Sequence, residues 1–185
     1  MKIIGMNSEH DTSFAVLEDG IPILHAELER YTRNKEEPGD CFAFLADTYP
    51  EHEKVKYFTH SVYWREDKRL EDWFPESYAK IITKDKILYE PGHHEAHAAN
   101  AFFTSNFKEA LIMTIDGGGI DNEDGSLHTK SEIDTSSKAT VTCTTFWYGK
   151  NNKIEPLEMI PSGNINVGFY WANCTKYIFG LGTWR

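Results

Sequence analysis

The sequence predicts a mixed α/β chain, and three observations carry that reading. Short apolar runs open the chain and are split by turn residues, as at Asp19-Gly20. A run over 93–103, rich in alanine and free of breakers, follows Gly92 and favours helix by propensity. A strand, a hairpin and a helix then come in the same element order as in the first half, without a residue-level repeat.

The first half begins with a three-stranded meander. Residues 2–6 read as a strand, a polar turn runs through Asp11, and 13–17 form a second strand closed by Asp19-Gly20, a strong hairpin signal. A third strand covers 21–28, and Arg30, Arg33 and Lys35 then make a short basic stretch before Pro38-Gly39. Asp40 can cap a helix over 40–47, with Phe42, Leu45 and Ala46 spaced for one apolar face. Short strands are expected at 55–59 and 87–89. The charged, aromatic segment 64–84, with Pro75 inside it, shows no regular period and reads as a surface excursion.

In the second half, 110–115 is an apolar strand ending in Asp116-Gly117-Gly118-Gly119, and glycines at a strand's end let the backbone approach a ligand closely. Residues 139–148 alternate, Gly149-Lys150-Asn151-Asn152 turns the chain, and 153–160 returns as the partner strand. A helix over 166–179 ends at Gly180, a residue suited to a left-handed C-terminal position.

At 185 residues the chain is long enough for one large domain or two lobes without disulfides or a structural metal. Hydrophobic residues at 40% and charged residues at 26% exclude a disordered or collagenous chain. With 19 basic against 29 acidic residues the net charge is -10, a field that repels a phosphate backbone and excludes non-specific nucleic-acid binding. A nucleotide can still enter a local pocket, which needs only a few placed donors. Cys41, Cys143 and Cys174 form no Cys-x-x-Cys pair and read as buried free thiols. The polar Asn7-Ser8-Glu9-His10 breaks any signal-like apolar start and no 18-residue apolar run follows, so a cytoplasmic compartment without membrane contact is expected.

Four groups of residues can carry chemistry, each with a plainer alternative. His93 and His97 lie four apart on one helical face and can present two imidazoles to one ion, which a carboxylate would complete for divalent iron or zinc; the alternative is a solvent-facing pair. Asp116 with Gly117, Gly118 and Gly119 can wrap a phosphate with backbone N–H groups, or can simply turn the chain. His10, beside Asp11 in the first loop, can serve as a general base or sit on the surface. Arg30, Arg33 and Lys35 can recognise phosphate or carboxylate, or form a solvated face neutralised by Glu27 and Glu29. The aromatics Trp64, Trp73, Phe74, Phe169, Tyr170 and Trp171 read as packing, with a partner surface as the alternative.

These residues resemble the NodU/CmcH-type carbamoyltransferases at four places. Ile4-Gly5-Met6-Asn7 through His10-Asp11-Thr12-Ser13 is similar to that family's first strand and loop, and Glu29-Arg30-Tyr31-Thr32-Arg33-Asn34-Lys35 to its Glu-Arg-Phe-Thr-Arg-x-Lys segment. His93-His94-Glu95-Ala96-His97-Ala98-Ala99 is similar to its metal-binding helix, and Ile115-Asp116-Gly117 to the strand and loop that follow. Leu28, Glu36 and Gly119-Ile120-Asp121 depart from the family's pattern.

The resemblance implies an actin-like ATPase (ribonuclease H-like) fold, with one complete lobe over 1–109 that includes the metal-binding helix and the start of a second over 110–185. It implies His93 and His97 as ligands of a divalent metal, iron in the family, and His10 at an acceptor hydroxyl. Asp116, Gly117, Gly118 and Gly119 would face the nucleotide, and Asp11, Arg30, Arg33 and Lys35 the substrate. The implied activity is O-carbamoyl transfer from carbamoyl phosphate, through carbamoyl-adenylate made with ATP, to a hydroxyl of a small molecule, sugar or nucleoside. In the family the carboxylate ligand and an adenylate-forming domain fall beyond the equivalent of residue 185. A second polypeptide completing the domain is therefore expected; the alternative is a truncated or split, non-catalytic metal- or nucleotide-binding module. An unfinished lobe would expose an apolar patch and an unpaired strand edge.

Overall fold

The structure is a computed structural model that describes residues 1–8, 10–55, 57–61, 75–81, 87–89, 91–121, 140–161 and 166–180. The chain divides into two compact units, Met1–Pro91 and Gly92–Arg185. Among the described residues the strands form two sheets, which agrees with the expected α/β class.

In the first unit, β1 (Lys2–Asn7), β2 (Ser13–Glu18) and β3 (Ile21–Glu27) form the expected meander, and β4 (Tyr57–Ser61) and β5 (Ile87–Tyr89) extend it in the order β3-β2-β1-β4-β5. The meander pairs are antiparallel; β4 runs parallel to β1 and to β5. Period-two alternation buries Ile4 and Met6 of β1 and Phe14 and Val16 of β2. Helix α2 (Cys41–Thr48) follows α1 (Leu28–Thr32) and starts where the cap was expected: Asp40 Oδ1 accepts from the N–H groups of Phe42 at 2.9 Å and Ala43 at 3.2 Å. Phe42 and Leu45 of this helix are fully buried against Phe58 and Val55.

Two elements differ from the expectation. The third strand stops at Glu27, and Leu28 begins α1, whose left-handed end at Arg33 (φ 66°) turns the chain into the basic loop. Within the segment expected to be irregular, Pro75–Ile81 is a helix, α3. It starts on a proline, suited to a first turn that has no intrahelical donor to lose. Its Tyr78 ring meets Phe42 edge-on at 5.2 Å between centroids. Seven residues make too few turns to write a helical period into the sequence. The rest of that segment, with Trp64, Trp73 and Phe74, lies outside the described residues.

The second unit is built on β6 (Glu109–Asp121), β7 (Thr140–Lys150) and β8 (Lys153–Pro161), an antiparallel sheet in sequence order. Helix α4 (His93–Phe103) packs Ala98 and Phe102 on Ile112 and the fully buried Trp147. Gly149 makes that approach feasible, since a Cβ there would lie 2.8 Å from the Phe102 ring and 2.9 Å from Ile112. Because α4 shares its core with β6 and β7, the units divide at Pro91/Gly92, whereas the sequence places the lobe boundary at 109/110. Helix α5 (Val167–Phe179) is capped by Asn166, whose Oδ1 accepts from Phe169 N–H at 2.9 Å, and ends at Gly180 with a left-handed φ of 65°.

The glycine run is not a loop beyond the strand. Strand β6 continues through Asp116-Gly117-Gly118-Gly119 to Asp121, with a register shift against β7 between Ile115 and Gly119. None of the described helices is long and apolar enough to cross a membrane.

Cys41 and Cys143 are buried and Cys174 is partly accessible. Burial pushes the Cys41 thiol up to about 12, so it stays a poorly nucleophilic thiol at neutral pH. Brief alkylation of the native protein at pH 8 is expected to label Cys174 and to spare Cys41, with all three labelled after denaturation; mass mapping that finds Cys41 modified in the native protein contradicts this packing.

Candidate metal centre

Helical spacing and strand alternation together assemble one cluster in the second unit. On α4, His93 and His97 are one turn apart, with ring centroids 4.7 Å apart and planes crossed at 81°. On β6, Ile112 and Thr114 face α4, and alternation carries Asp116 to the same face. The result is that Asp116 Oδ2 lies 2.6 Å from His93 Nε2 and 3.5 Å from His97 Nε2, and the two imidazole nitrogens are 3.2 Å apart. All three donor atoms fall within 4.8 Å of one another.

These distances suit a shared cation. Ligands about 2.1 Å from one ion sit about 3.0 Å apart when adjacent in an octahedron and about 3.4 Å apart in a tetrahedron. Two imidazoles and one carboxylate on one side of an ion match divalent iron or zinc and leave other positions open. His97 is 55% exposed and Asp116 39%, so the open side of the cluster faces solvent. Burial on its own would raise the carboxyl of Asp116, but hydrogen bonds from His93, His97 and the Gly117 N–H hold it well below the usual carboxylate range. Asp116 therefore presents a charged oxygen at neutral pH.

His94 turns the other way and is fully buried. Its Nε2 lies 3.2 Å from the Thr142 carbonyl, which can only accept, so Nε2 carries the proton and Nδ1 accepts from the Thr114 hydroxyl at 2.8 Å. Trp147 Nε1–H donates to the same hydroxyl oxygen at 3.2 Å. Burial keeps the imidazole of His94 below its ordinary value, against the pull of Asp121. Its role is to tie the helix to the sheet.

Asp116 is the residue the sequence reading assigned differently. It was expected beside a nucleotide, with the carboxylate ligand outside the chain; the structure instead brings its carboxylate to the two histidines. Gly117 donates its N–H to Asp116 Oδ1, and its carbonyl accepts from Asn166 Nδ2 at 2.6 Å. Gly118 and Gly119 follow within the same irregular stretch of β6.

In the first unit, His10 Nδ1 pairs with Asp11 Oδ2 at 2.7 Å, and Asp11 adopts a left-handed φ of 56°. Asn7 Nδ2 holds the loop by donating to the carbonyls of His10 and Asp11. Asp11, Arg30 and Lys35 line a cleft of about 190 Å³ together with Ser13, Glu27 and Glu29; Arg33 is not among its lining residues. Glu29 organises it: its Oε2 accepts from the Glu36 N–H at 2.9 Å and from Lys35 Nζ at 3.2 Å, while Arg30 reaches Glu29 at 3.1 Å and Glu27 at 2.8 Å. The Glu36 N–H and the Lys35 ammonium hold the Glu29 carboxyl below its ordinary range. Arg30 and Lys35 are thus paired with Glu27 and Glu29, as the neutralised reading has it, and both line the cleft. Thr114, Thr142 and Asp121 are organising residues that the sequence does not mark, because each acts through partners far along the chain.

His93→Ala, His97→Ala and Asp116→Ala are each expected to weaken Co(II) affinity by more than the roughly 10–100-fold that a ligand's supporting partner carries. His94→Ala should weaken it much less and should lower unfolding free energy by about 1–3 kcal/mol through its unpaired buried partners. Calorimetric titration and denaturant unfolding check both; similar Co(II) affinity in all four variants contradicts the ligand set.

No family model matches the chain. It is 27% identical over 157 residues to the uncharacterized protein sll1178 of Synechocystis sp., an alignment covering 63% of this chain and 25% of the relative. The chain spans about a quarter of the length of the curated relative it matches.

Proposed function

We propose that the chain is the amino-terminal part of an O-carbamoyltransferase of the NodU/CmcH type, with a divalent metal held by His93, His97 and Asp116. The observation that carries the reading is the convergence of those three donor atoms, two of them on the helix that the resemblance marks as metal-binding and the third on β6. The actin-like ATPase (ribonuclease H-like) fold belongs to the same proposal, supported by the mixed five-stranded sheet of the first unit.

The metal, iron in the family, would supply a positive charge for phosphate or carbamoyl oxygens. Asp116 is anionic and would repel a phosphate directly, so a cation between them reconciles its ligand role with a nucleotide near Gly117, Gly118 and Gly119. The Asp11 carboxylate orients His10 by accepting from Nδ1, which makes Nε2 the basic nitrogen. In the reaction proposed, His10 takes the proton of the acceptor hydroxyl, the oxygen bonds to the carbamoyl carbon of carbamoyl-adenylate, and the bond to phosphate breaks with its electron pair leaving on AMP. Asp11, Arg30 and Lys35 of the cleft would contact the substrate, and Arg33, which does not line it, belongs to the same proposal by the resemblance alone.

Partner association is part of the proposal and has support in the second unit. Leu111, Met113 and Ile115 alternate along β6 on the face away from α4 and are 68%, 54% and 45% exposed. Among the described residues β6 is an edge strand, and α5 buries none of its side chains, with Trp171, Tyr177 and Phe179 all exposed. Apolar surface of that kind favours association with a second polypeptide. A second reading is a metal- or nucleotide-binding module without transferase activity, which the same three donor atoms would also serve.

The test is carbamoyl transfer itself. The chain, with and without the product of an adjacent reading frame, is given carbamoyl phosphate, ATP, Fe(II) and a panel of hydroxyl compounds, and acceptor mass is followed. A carbamoyl mass gain that needs the chain, and that falls about 10²–10⁴-fold in His10→Gln with metal content unchanged, is the expected result. Absence of transfer in every pairing, with metal and nucleotide binding intact, overturns the transferase and leaves the binding module.

A further inference from the structure

Beneath the cluster lies a second layer of polar contacts, made by residues other than the three donors. Asp121, at the end of β6, has no exposed surface, yet its carboxylate has two partners: Oδ1 accepts from the His94 N–H and Oδ2 from the Thr142 hydroxyl, both at 2.9 Å. The helix needs this acceptor. Gly92, at the N-cap of α4, has no side chain to satisfy the first-turn donors, and a carboxylate from another element takes that place and complements the positive end of the helix. Thr142 is held twice, by Asp121 through its hydroxyl and by His94 through its carbonyl.

Gly119 shares this face with Asp121. A Cβ at 119 would overlap the imidazole of His93, so the ring lies where a side chain would otherwise stand. Simple alternation puts residues 116 and 119 on opposite faces of a strand. The register shift between Ile115 and Gly119 removes that conflict, and Asp116, Gly119 and Asp121 all meet α4.

We propose that Asp121 and Gly119 are positioning residues for the metal centre: Asp121 pins the first turn of α4 to the end of β6, and Gly119 leaves the space that lets the His93 imidazole reach Asp116. The proposal rests on the reading of His93, His97 and Asp116 as metal ligands. Donor atoms fixed before binding need less ordering when the ion arrives, so the expected signature is a loss of metal affinity beyond any loss of fold stability.

The experiment uses the full chain and Co(II) as the probe, with affinity from calorimetry, ligand geometry from the visible absorption bands of bound Co(II), and metal-free thermal unfolding as the control. Gly119→Ala is expected to lose about 10–100-fold in Co(II) affinity and to shift the bands, with little change in metal-free unfolding. Asp121→Ala should lose affinity to a similar extent. Asp121→Asn keeps an oxygen for the His94 N–H and offers an amide donor to the Thr142 hydroxyl, and should restore affinity and bands close to the unsubstituted protein. Unchanged affinity and bands in Gly119→Ala overturn the proposal, as does an affinity loss in Asp121→Ala that only parallels lost metal-free stability and is not rescued by Asp121→Asn. If Asp121→Ala does not fold, Gly119→Ala decides. Failure of the unsubstituted chain to bind Co(II) at all would instead remove the metal reading, and this proposal with it.

Discussion

One imidazole nitrogen cannot satisfy two neighbouring lone pairs with a single proton. His93 Nε2 faces Asp116 Oδ2 at 2.6 Å and His97 Nε2 at 3.2 Å, and a proton on it can point to only one of them. In water such a group would turn to solvent, but α4 and β6 hold all three atoms together. A divalent ion would relieve the crowding, since with both Nε2 atoms deprotonated one positive centre could accept all three lone pairs at once. The cluster and its proposed chemistry both follow from that constraint.

The constraint exists because the second unit is rigid where it needs to be. Ala98, Phe102, Ile112 and Trp147 pack one face of α4 to the sheet, and Gly149 gives Phe102 room. That apolar contact fixes the axis of the helix. Its rotation and register are fixed by polar contacts instead: His94 reaches Thr114 and Thr142, and Asp121 holds the His94 N–H. Buried polar groups with specified partners admit few alternative arrangements, so a helix carrying them resists sliding on the sheet. His94, which faces away from the cluster, thus helps to hold the helix that carries His93 and His97.

Much of this was legible in residues taken in order. The helix over 93–103, the cap at Asp40 and the left-handed end at Gly180 all arise from local chemistry, which a short window of sequence contains. Asp116 was partly legible: alternation from Ile112 and Thr114 puts it on their face, but only the packing of α4 there brings it to the two histidines. Asp121 was not, because it lies five positions after Asp116 and a regular strand would turn it away. A register shift reverses that parity, and such shifts depend on the partner strand rather than on the residues that carry them. Helix α3 escaped for a different reason, being shorter than the window over which an amphipathic period declares itself.

The most direct measurement is X-ray absorption at the metal edge of protein loaded with one equivalent of Zn(II) or Fe(II). The account predicts a first shell of nitrogen and oxygen at about 2.0–2.2 Å with the multiple scattering of two imidazoles, reduced to one in His97→Ala. A shell of oxygen alone, or one containing sulfur, would place the ion elsewhere and contradict the account.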